Sequence, residues 1–170
     1  LYIRRHIDGK RLAAPEPDPA EEYTVENIYH QSPENKDEKG FGSIAAYEDW
    51  LKDNGFWKDD APRIVVTGQM GEPAELIASL ESAGNVVYPI RNIIPVLAGG
   101  QLDSISPSAV INMAHGRLGD RMVEFLEKYN IPLFSPLNAN ALVSEWEADD
   151  MGMSGGFLSQ SVVTPEIDGA

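Results

Sequence analysis

Three cationic or titratable side chains closely follow one apolar run. The segment AHGRLGDR places His115, Arg117 and Arg121 directly after the run SAVINM. An imidazole, whose ordinary pKa lies near neutrality, can carry a proton or bind a metal ion. Guanidinium groups bind carboxylates through paired hydrogen bonds. The spacing indicates a loop that handles protons or anions, or alternatively a histidine that is held by hydrogen bonds to the loop backbone.

A second set of chemically capable residues lies in the segment SEWEADD. Glu145 and Asp149 are four residues apart and therefore share one face of a helix. Paired carboxylates of this kind can bind a metal ion or protons. The alternative is a solvated helix face with Trp146 packed against a sheet. The three histidines are isolated and the chain has no cysteine, so spacing alone defines no metal site.

Two glycine-bearing turns, GQMGEP and HGRLGD, each lead into a predicted helix. The free N–H groups of a helix N-terminus favour anions. Neither turn matches the Rossmann or Walker pattern, so a phosphate-bearing cofactor is the weaker interpretation, and no serine has the context of a hydrolase nucleophile. The alternative is that four glycines only form tight turns: Gly68, Gly71, Gly116 and Gly119.

The elements that must position these residues alternate between strands and helices from residue 62 onward. Near-continuous apolar strands alternating with helices are typical of a parallel sheet covered on both faces. We expect a doubly wound, flavodoxin-like α/β domain of about five strands in the order 2-1-3-4-5, with a crevice between the first and third strands. The crossover RNIIPVLAGGQLDSISP shows no clear long helix. The predicted strands are RIVVTG, NVVYPI, SAVINMA, IPLFS and Ser161–Thr164 followed by Pro165.

Residues 1–61 are predicted to form an irregular extension to the domain at 62–170. The proline-rich stretch at 10–22 indicates an extended connector, and QSPENKDEKG at 31–40 a polar loop. Between them YTVENIYH alternates as a strand does. SIAAYEDWLKDNG is typical of a helix that begins after the N-cap Ser43 and ends before Gly55.

The composition excludes several function classes. Thirteen basic against 27 acidic residues give a net charge of −14, which repels nucleic acid and anionic membranes and favours cations. The same excess can simply keep the chain in solution. No apolar run approaches the roughly 20 residues of a membrane span. The lack of cysteine fits a reducing compartment, and we expect a cytoplasmic location.

The closing residues carry a resemblance to a known family. A Trp-containing helix, a Met/Gly-rich loop at 151–156 and the sequence SVVTPEIDGA resemble the large subunit of the cobaltochelatases and magnesium chelatases. That family has a Pro-Glu-Leu-Asp-Gly motif, in which this chain has isoleucine at the leucine position. PSAVINMAHG, YNIPLFSPLNA, NIYHQSP and AAYEDWLKDNG are also similar to family segments. The resemblance spans roughly residues 25–170 and implies that the chain is a piece of a much longer subunit.

The resemblance implies a function in which a divalent metal enters or leaves a tetrapyrrole ring. Cobalt, magnesium or iron would be a substrate, ATP would act only through separate ATPase subunits, and no cofactor would stay tightly bound to this piece. The pyrrole N–H groups need proton acceptors, and the ring carries acidic or amide side chains. The expected proton acceptors are His115 and Glu166. The expected ring-binding residues are Arg91, Arg117, Arg121 and Trp146, and the expected metal-binding residues are Glu145 and Asp168.

A second interpretation belongs to a different class of protein. The same crevice suits a non-catalytic α/β module that binds a small molecule or docks a neighbouring domain. In either case we expect this piece alone to lack enzymatic activity.

Overall fold

The computed structural model describes residues 26–34, 38–68, 73–114, 118–136, 143–150, 152, 155–163 and 166. The proline-rich connector predicted at 10–22 lies outside these residues. No helix in the described part of the chain combines the length and the apolar character that crossing a membrane requires.

One sheet of six strands organises the described residues. Its order is β2-β1-β4-β3-β5-β6, and the four strands β4, β3, β5 and β6 are parallel neighbours. This order confirms the predicted 2-1-3-4 arrangement of the first four parallel strands and the α/β class with a mostly parallel sheet, and it is compatible with a flavodoxin-like fold. The strands are β1 Ile28–His30, β2 Lys39–Phe41, β3 Arg63–Thr67, β4 Val86–Ile90, β5 Ala109–Asn112 and β6 Leu133–Phe134.

Seven α-helices accompany the sheet in the described residues. The helix predicted after Ser43 is confirmed, because the Ser43 hydroxyl accepts a hydrogen bond from the Ala46 N–H at 3.1 Å. The crossover from β4 to β5 holds two short helices that meet at Gly99 and Gly100, in agreement with the absence of a long helix. The helices are α1 Ile44–Asp53, α2 Ala74–Ser82, α3 Ile93–Ala98, α4 Gln101–Ile105, α5 Asp120–Tyr129, α6 Val143–Ala148 and α7 Gly155–Leu158.

The two faces of the sheet are covered unequally. Strand alternation sends Val65 and Val110 to one face, where α1, α3, α4 and α5 pack in the larger apolar cluster. Val66 and Val87 face the other side and pack against Ile77 of α2 in a smaller apolar cluster. In the described part of the chain, α2 is the helix that contributes to this cluster. Among the described residues, the smaller cluster includes none from β6.

The N-terminal residues extend the sheet instead of forming an irregular arm throughout. β1 confirms the strand predicted in YTVENIYH, and it pairs antiparallel with both β4 and β2. The prediction of a loop through Gly40 is wrong, because Lys39–Phe41 form β2. Phe41 is buried among aromatic rings, which fixes this short strand despite its polar surroundings. The sheet is continuous across residue 61, and the division of the chain there stays a prediction.

The predicted fifth parallel strand at Ser161–Thr164 is wrong for the residues that the structure describes. Ser159–Val163 form a π-helical turn that continues α7, while Thr164 lies outside the described residues. The neighbouring edge strand offers little backbone for another ladder. β6 has two residues and is bracketed by Pro132 and Pro136, and proline cannot donate to a ladder.

A tyrosine hydroxyl completes the backbone hydrogen bonding where β1 diverges from β4. The Tyr47 hydroxyl donates to the Val87 carbonyl at 2.8 Å, and the Tyr47 side chain is completely buried. Burial raises the pKa of Tyr47 well above its ordinary value of 10.0. Burial also raises the pKa of Tyr29 to about 12, although the Arg91 guanidinium acts in the opposite direction. The fold therefore stabilises the neutral phenols.

We expect stability to fall at alkaline pH because of these phenols. Below pH 10 both the native and the unfolded chain keep the phenol protons, so the groups add no pH dependence. As pH rises from 10.0 through about 12, the unfolded chain releases a proton that native Tyr29 retains, and unfolding becomes easier. Urea unfolding across this range measures the decline.

The variant Tyr47→Phe tests the cause at neutral pH. It leaves the buried Val87 carbonyl without its donor, and we expect it to lose about 1–3 kcal/mol of unfolding free energy. The matched variant Tyr129→Phe changes a tyrosine that is 46% exposed and should lose much less. Equal losses in the two variants would contradict a special role for the buried hydroxyl.

Candidate functional site

The carboxyl edge of the parallel sheet has the geometry expected of a ligand crevice. From β3 the chain passes to β4 on one side, and β5 then returns to the other side of β3. The strand order therefore reverses between β3 and β5, and ligands of open α/β sheets bind at such points. The predicted strand reversal is confirmed, and a ligand crevice at this point stays a prediction.

Two buried polar residues end the strands on either side of this reversal. Thr67 and Asn112 are register partners, and each is 2% exposed. The Asn112 amide oxygen accepts a hydrogen bond from the Ala114 N–H at 3.1 Å, which fixes the turn after β5. The Thr67 hydroxyl has no hydrogen-bond partner within the described part of the chain. Sequence reasoning missed both residues, and the available signal was a polar residue that closes each apolar strand.

Gly68 lets the chain turn sharply at this edge. Its φ is +67°, a left-handed conformation that glycine adopts without steric cost. A Cβ atom at this position would lie 2.5 Å from the Asn112 amide oxygen and 2.6 Å from the Ala114 Cβ atom. Gly119, before α5, has a φ of +88°. The tight-turn interpretation is supported for Gly68 and stays a prediction for Gly119, while Gly71 and Gly116 lie outside the described residues.

The structure describes five of the eight predicted site residues. His115, Arg117 and Asp168 lie outside the described residues. Arg121 is exposed in the first turn of α5, the helix that follows β5. Glu166 is exposed. The catalytic, ring-binding and metal-binding roles of all eight residues stay predictions.

Arg91 follows β4 at the same edge and already has several partners. Its guanidinium forms an ion pair with Glu38, and its Nε donates to the Glu26 carbonyl at 3.2 Å. The guanidinium also lies 4.5 Å from the centre of the Tyr29 ring. These contacts anchor the N-terminal strands to the end of β4. A ligand that uses Arg91 therefore has to share it with Glu38.

The acidic helix α6 presents its side chains to solvent. Glu145 and Asp149 are exposed, and Trp146 is 49% exposed, so the Trp146 side chain is not buried against the sheet as the alternative interpretation required. In the described part of the chain, no three His, Asp or Glu side chains form a group that could hold a metal ion. A metal site there would need further ligands.

A broad apolar depression adjoins the crevice beside β6. It has a volume of about 530 Å³, within the range of ligand clefts. We call it the β6 depression, and its lining residues carry no charge. They are Leu76, Ile111, Met113, Phe134, Ser135 and Pro136.

A second depression lies around the α5–β6 connection and has the same volume of about 530 Å³. We call it the α5 depression. It is lined by Glu127 and Asn130 as well as by apolar residues, so it differs from the β6 depression in carrying a charge. Its apolar residues are Val123, Leu126, Ile131, Pro132 and Leu133.

The strand order defines a doubly wound α/β domain with a strand reversal of the kind at which ligands bind. The family model described as CobN/Magnesium Chelatase matches residues 1–170. The chain belongs to this family, which confirms the resemblance seen in the sequence. No curated protein and no solved structure gives a significant match.

We expect Gly68→Ala to destabilise the crevice edge severely. Gly100→Ala is a matched control, because Gly100 has a φ of +70° but no atom within 4 Å of an added Cβ. The control carries only the left-handed strain of about 1–2 kcal/mol. Gly68→Ala adds overpacking against Asn112 and Ala114, and should lose about 1–3 kcal/mol more. Urea unfolding of both variants measures the difference, and equal losses would contradict close packing at Gly68.

Proposed function

We propose that the chain is a domain of a tetrapyrrole metal chelatase large subunit and that it contributes to ring binding and to metal insertion or removal. The observation that carries this proposal is the family match over residues 1–170. The crevice at the strand reversal supports it, because that edge combines helix N-termini with an apolar surface.

The roles proposed for the residues at this edge follow from the chemistry of the ring. A tetrapyrrole offers a flat apolar face and a periphery of carboxylate or amide groups. The apolar face needs an apolar wall, whereas the carboxylates need cations or N–H donors. Arg121 supplies a cation at the start of α5, where the helix dipole also favours an anion. Arg91 and Arg117 are the further proposed cations, and Trp146 is a further proposed ring contact.

Metal insertion releases two protons for each divalent ion that replaces them in the ring. His115 and Glu166 are the proposed acceptors of these protons, because an imidazole and a carboxylate can each take up one proton. Glu145 and Asp168 are proposed to attract the incoming metal. The net charge of −14 supports this last role, since a negative surface raises the local concentration of divalent cations.

Partner proteins belong to the same proposal. The energy source is ATP hydrolysis on separate ATPase subunits, and the remaining parts of the large subunit complete the ring site. The metal is a substrate in this scheme, with cobalt, magnesium and iron as the candidates. Because insertion and removal are one exchange run in opposite directions, the same residues serve both.

An absorption titration tests whether this domain binds the ring. We expect metal-free deuteroporphyrin to show a saturable shift of its main absorption band on addition of the chain, and His115→Ala to weaken the shift. Haem provides the metallated comparison, and serum albumin and detergent provide controls for non-specific stacking. The absence of a saturable shift with either ring would overturn ring binding by this domain and favour the docking module.

A further inference from the structure

The β6 depression combines an exposed aromatic ring with a lining that carries no charge. Phe134 is 56% exposed, which is the highest exposure of any large apolar side chain in the described part of the chain. It lies on β6, next to β5, on the face that α2 covers incompletely. Its exposure is thus a consequence of the fold, because the smaller cluster ends before it reaches β6.

Charge distinguishes this depression from the rest of the surface. The chain carries a net charge of −14, so an anionic ligand is repelled over most of its surroundings. None of the six residues that line the β6 depression is charged. A flat ligand with anionic groups at its rim can therefore place its apolar face here while its rim stays in solvent.

The edge of the sheet at β6 is poorly suited to strand addition from another protein. Pro132 and Pro136 bracket β6, so a backbone donor is missing on either side of this short strand. Phe134 and the Met113 thioether offer an aromatic face and a polarizable sulfur, which both pack well against a π-system. The volume of about 530 Å³ falls within the range of small-molecule clefts.

We propose that the β6 depression holds one face of the tetrapyrrole macrocycle, with Phe134 stacked on the ring and Met113 at its edge. This inference rests on the proposed function and adds the location and the contact residues of the ring. The depression adjoins the strand reversal through Ile111 and Met113, since Asn112 between them borders the crevice. A ring seated here lies at the sheet edge from which α5 and Arg121 begin.

Strand alternation provides a matched pair of variants. Phe134 lines the β6 depression, whereas its neighbour Leu133 lines the α5 depression of the same volume. In a titration with metal-free deuteroporphyrin, we expect Phe134→Ala to weaken binding about tenfold, as the loss of one aromatic contact with its buried area implies. Phe134→Tyr should restore binding, and Leu133→Ala should leave the dissociation constant unchanged.

Methionine methyl resonances give a second, local readout. The chain has five methionines, and Met122 is completely buried in the larger cluster on the opposite face. With methyl-labelled methionine, deuteroporphyrin should move the Met113 signal downfield, because the ring current deshields a methyl group at the edge of the ring, and it should leave the Met122 signal in place. Met113→Leu assigns the signal, and thermal unfolding of each variant verifies that it is folded.

The outcomes separate this inference from the proposed function. Saturable binding that Phe134→Ala leaves unchanged, with no movement of the Met113 signal, would overturn the location while ring binding stands. No binding by the unsubstituted chain would overturn both. A change of oligomeric state in Phe134→Ala, measured by light scattering without a change in ring affinity, would assign the depression to contact between copies and overturn the inference.

Discussion

The pairing of β3 with β4 on one side and β5 on the other is the constraint on which the rest of the structure depends. A strand that is hydrogen-bonded at both edges and covered on both faces must be apolar, and the run Arg63–Thr67 meets that demand. Right-handed crossovers from such a strand send α2 to one face and the later helices to the other. Among the described residues, the β6 depression lies on the face that α2 covers.

The N-terminal strands depend on side chains more than on backbone ladders. β1 pairs with β4 at a single register position, Ile28 with Ile90. Further attachment includes the Arg91 N–H, which donates to the Asn27 carbonyl at 2.9 Å, the Arg91 side-chain contacts, and His30, whose Nε2 atom lies 3.0 Å from Glu81 Oε1. Such contacts are specific in geometry, and a buried polar group that loses its partner costs more than the pair contributes. These side chains therefore fix the position of a strand pair that is too short to fix itself.

Periodicity predicted the elements whose burial is regular and missed those fixed by particular contacts. β3, β4 and β5 are near-continuous apolar runs, and α1 buries residues at helical spacing, namely Ile44, Tyr47 and Leu51. Both patterns are visible in the sequence, so these elements could be predicted from it. β2 was missed because Phe41 alone of its residues is buried, and three residues carry no period. Ser161–Thr164 were predicted as a strand, whereas the described part of that run is a π-helical turn. At the site, the strand pattern of the sequence located the strand reversal. The depression could not be predicted, because it arises from unequal coverage of two sheet faces.

The acidic surface and an anionic ring oppose each other, and the architecture offers a way to reconcile them. Screening at physiological salt limits the repulsion between exposed charges to about 8 Å, so the charge next to the ligand matters more than the total of −14. The uncharged β6 depression and the cation Arg121 lie toward the same carboxyl edge, while the acidic residues of α6 are exposed to solvent. Repulsion over the rest of the surface then disfavours non-specific stacking of the ring, and the same negative surface attracts a divalent metal. Under the proposed function, an arrangement of this kind would separate the approach of the metal from the binding surface of the ring within one domain.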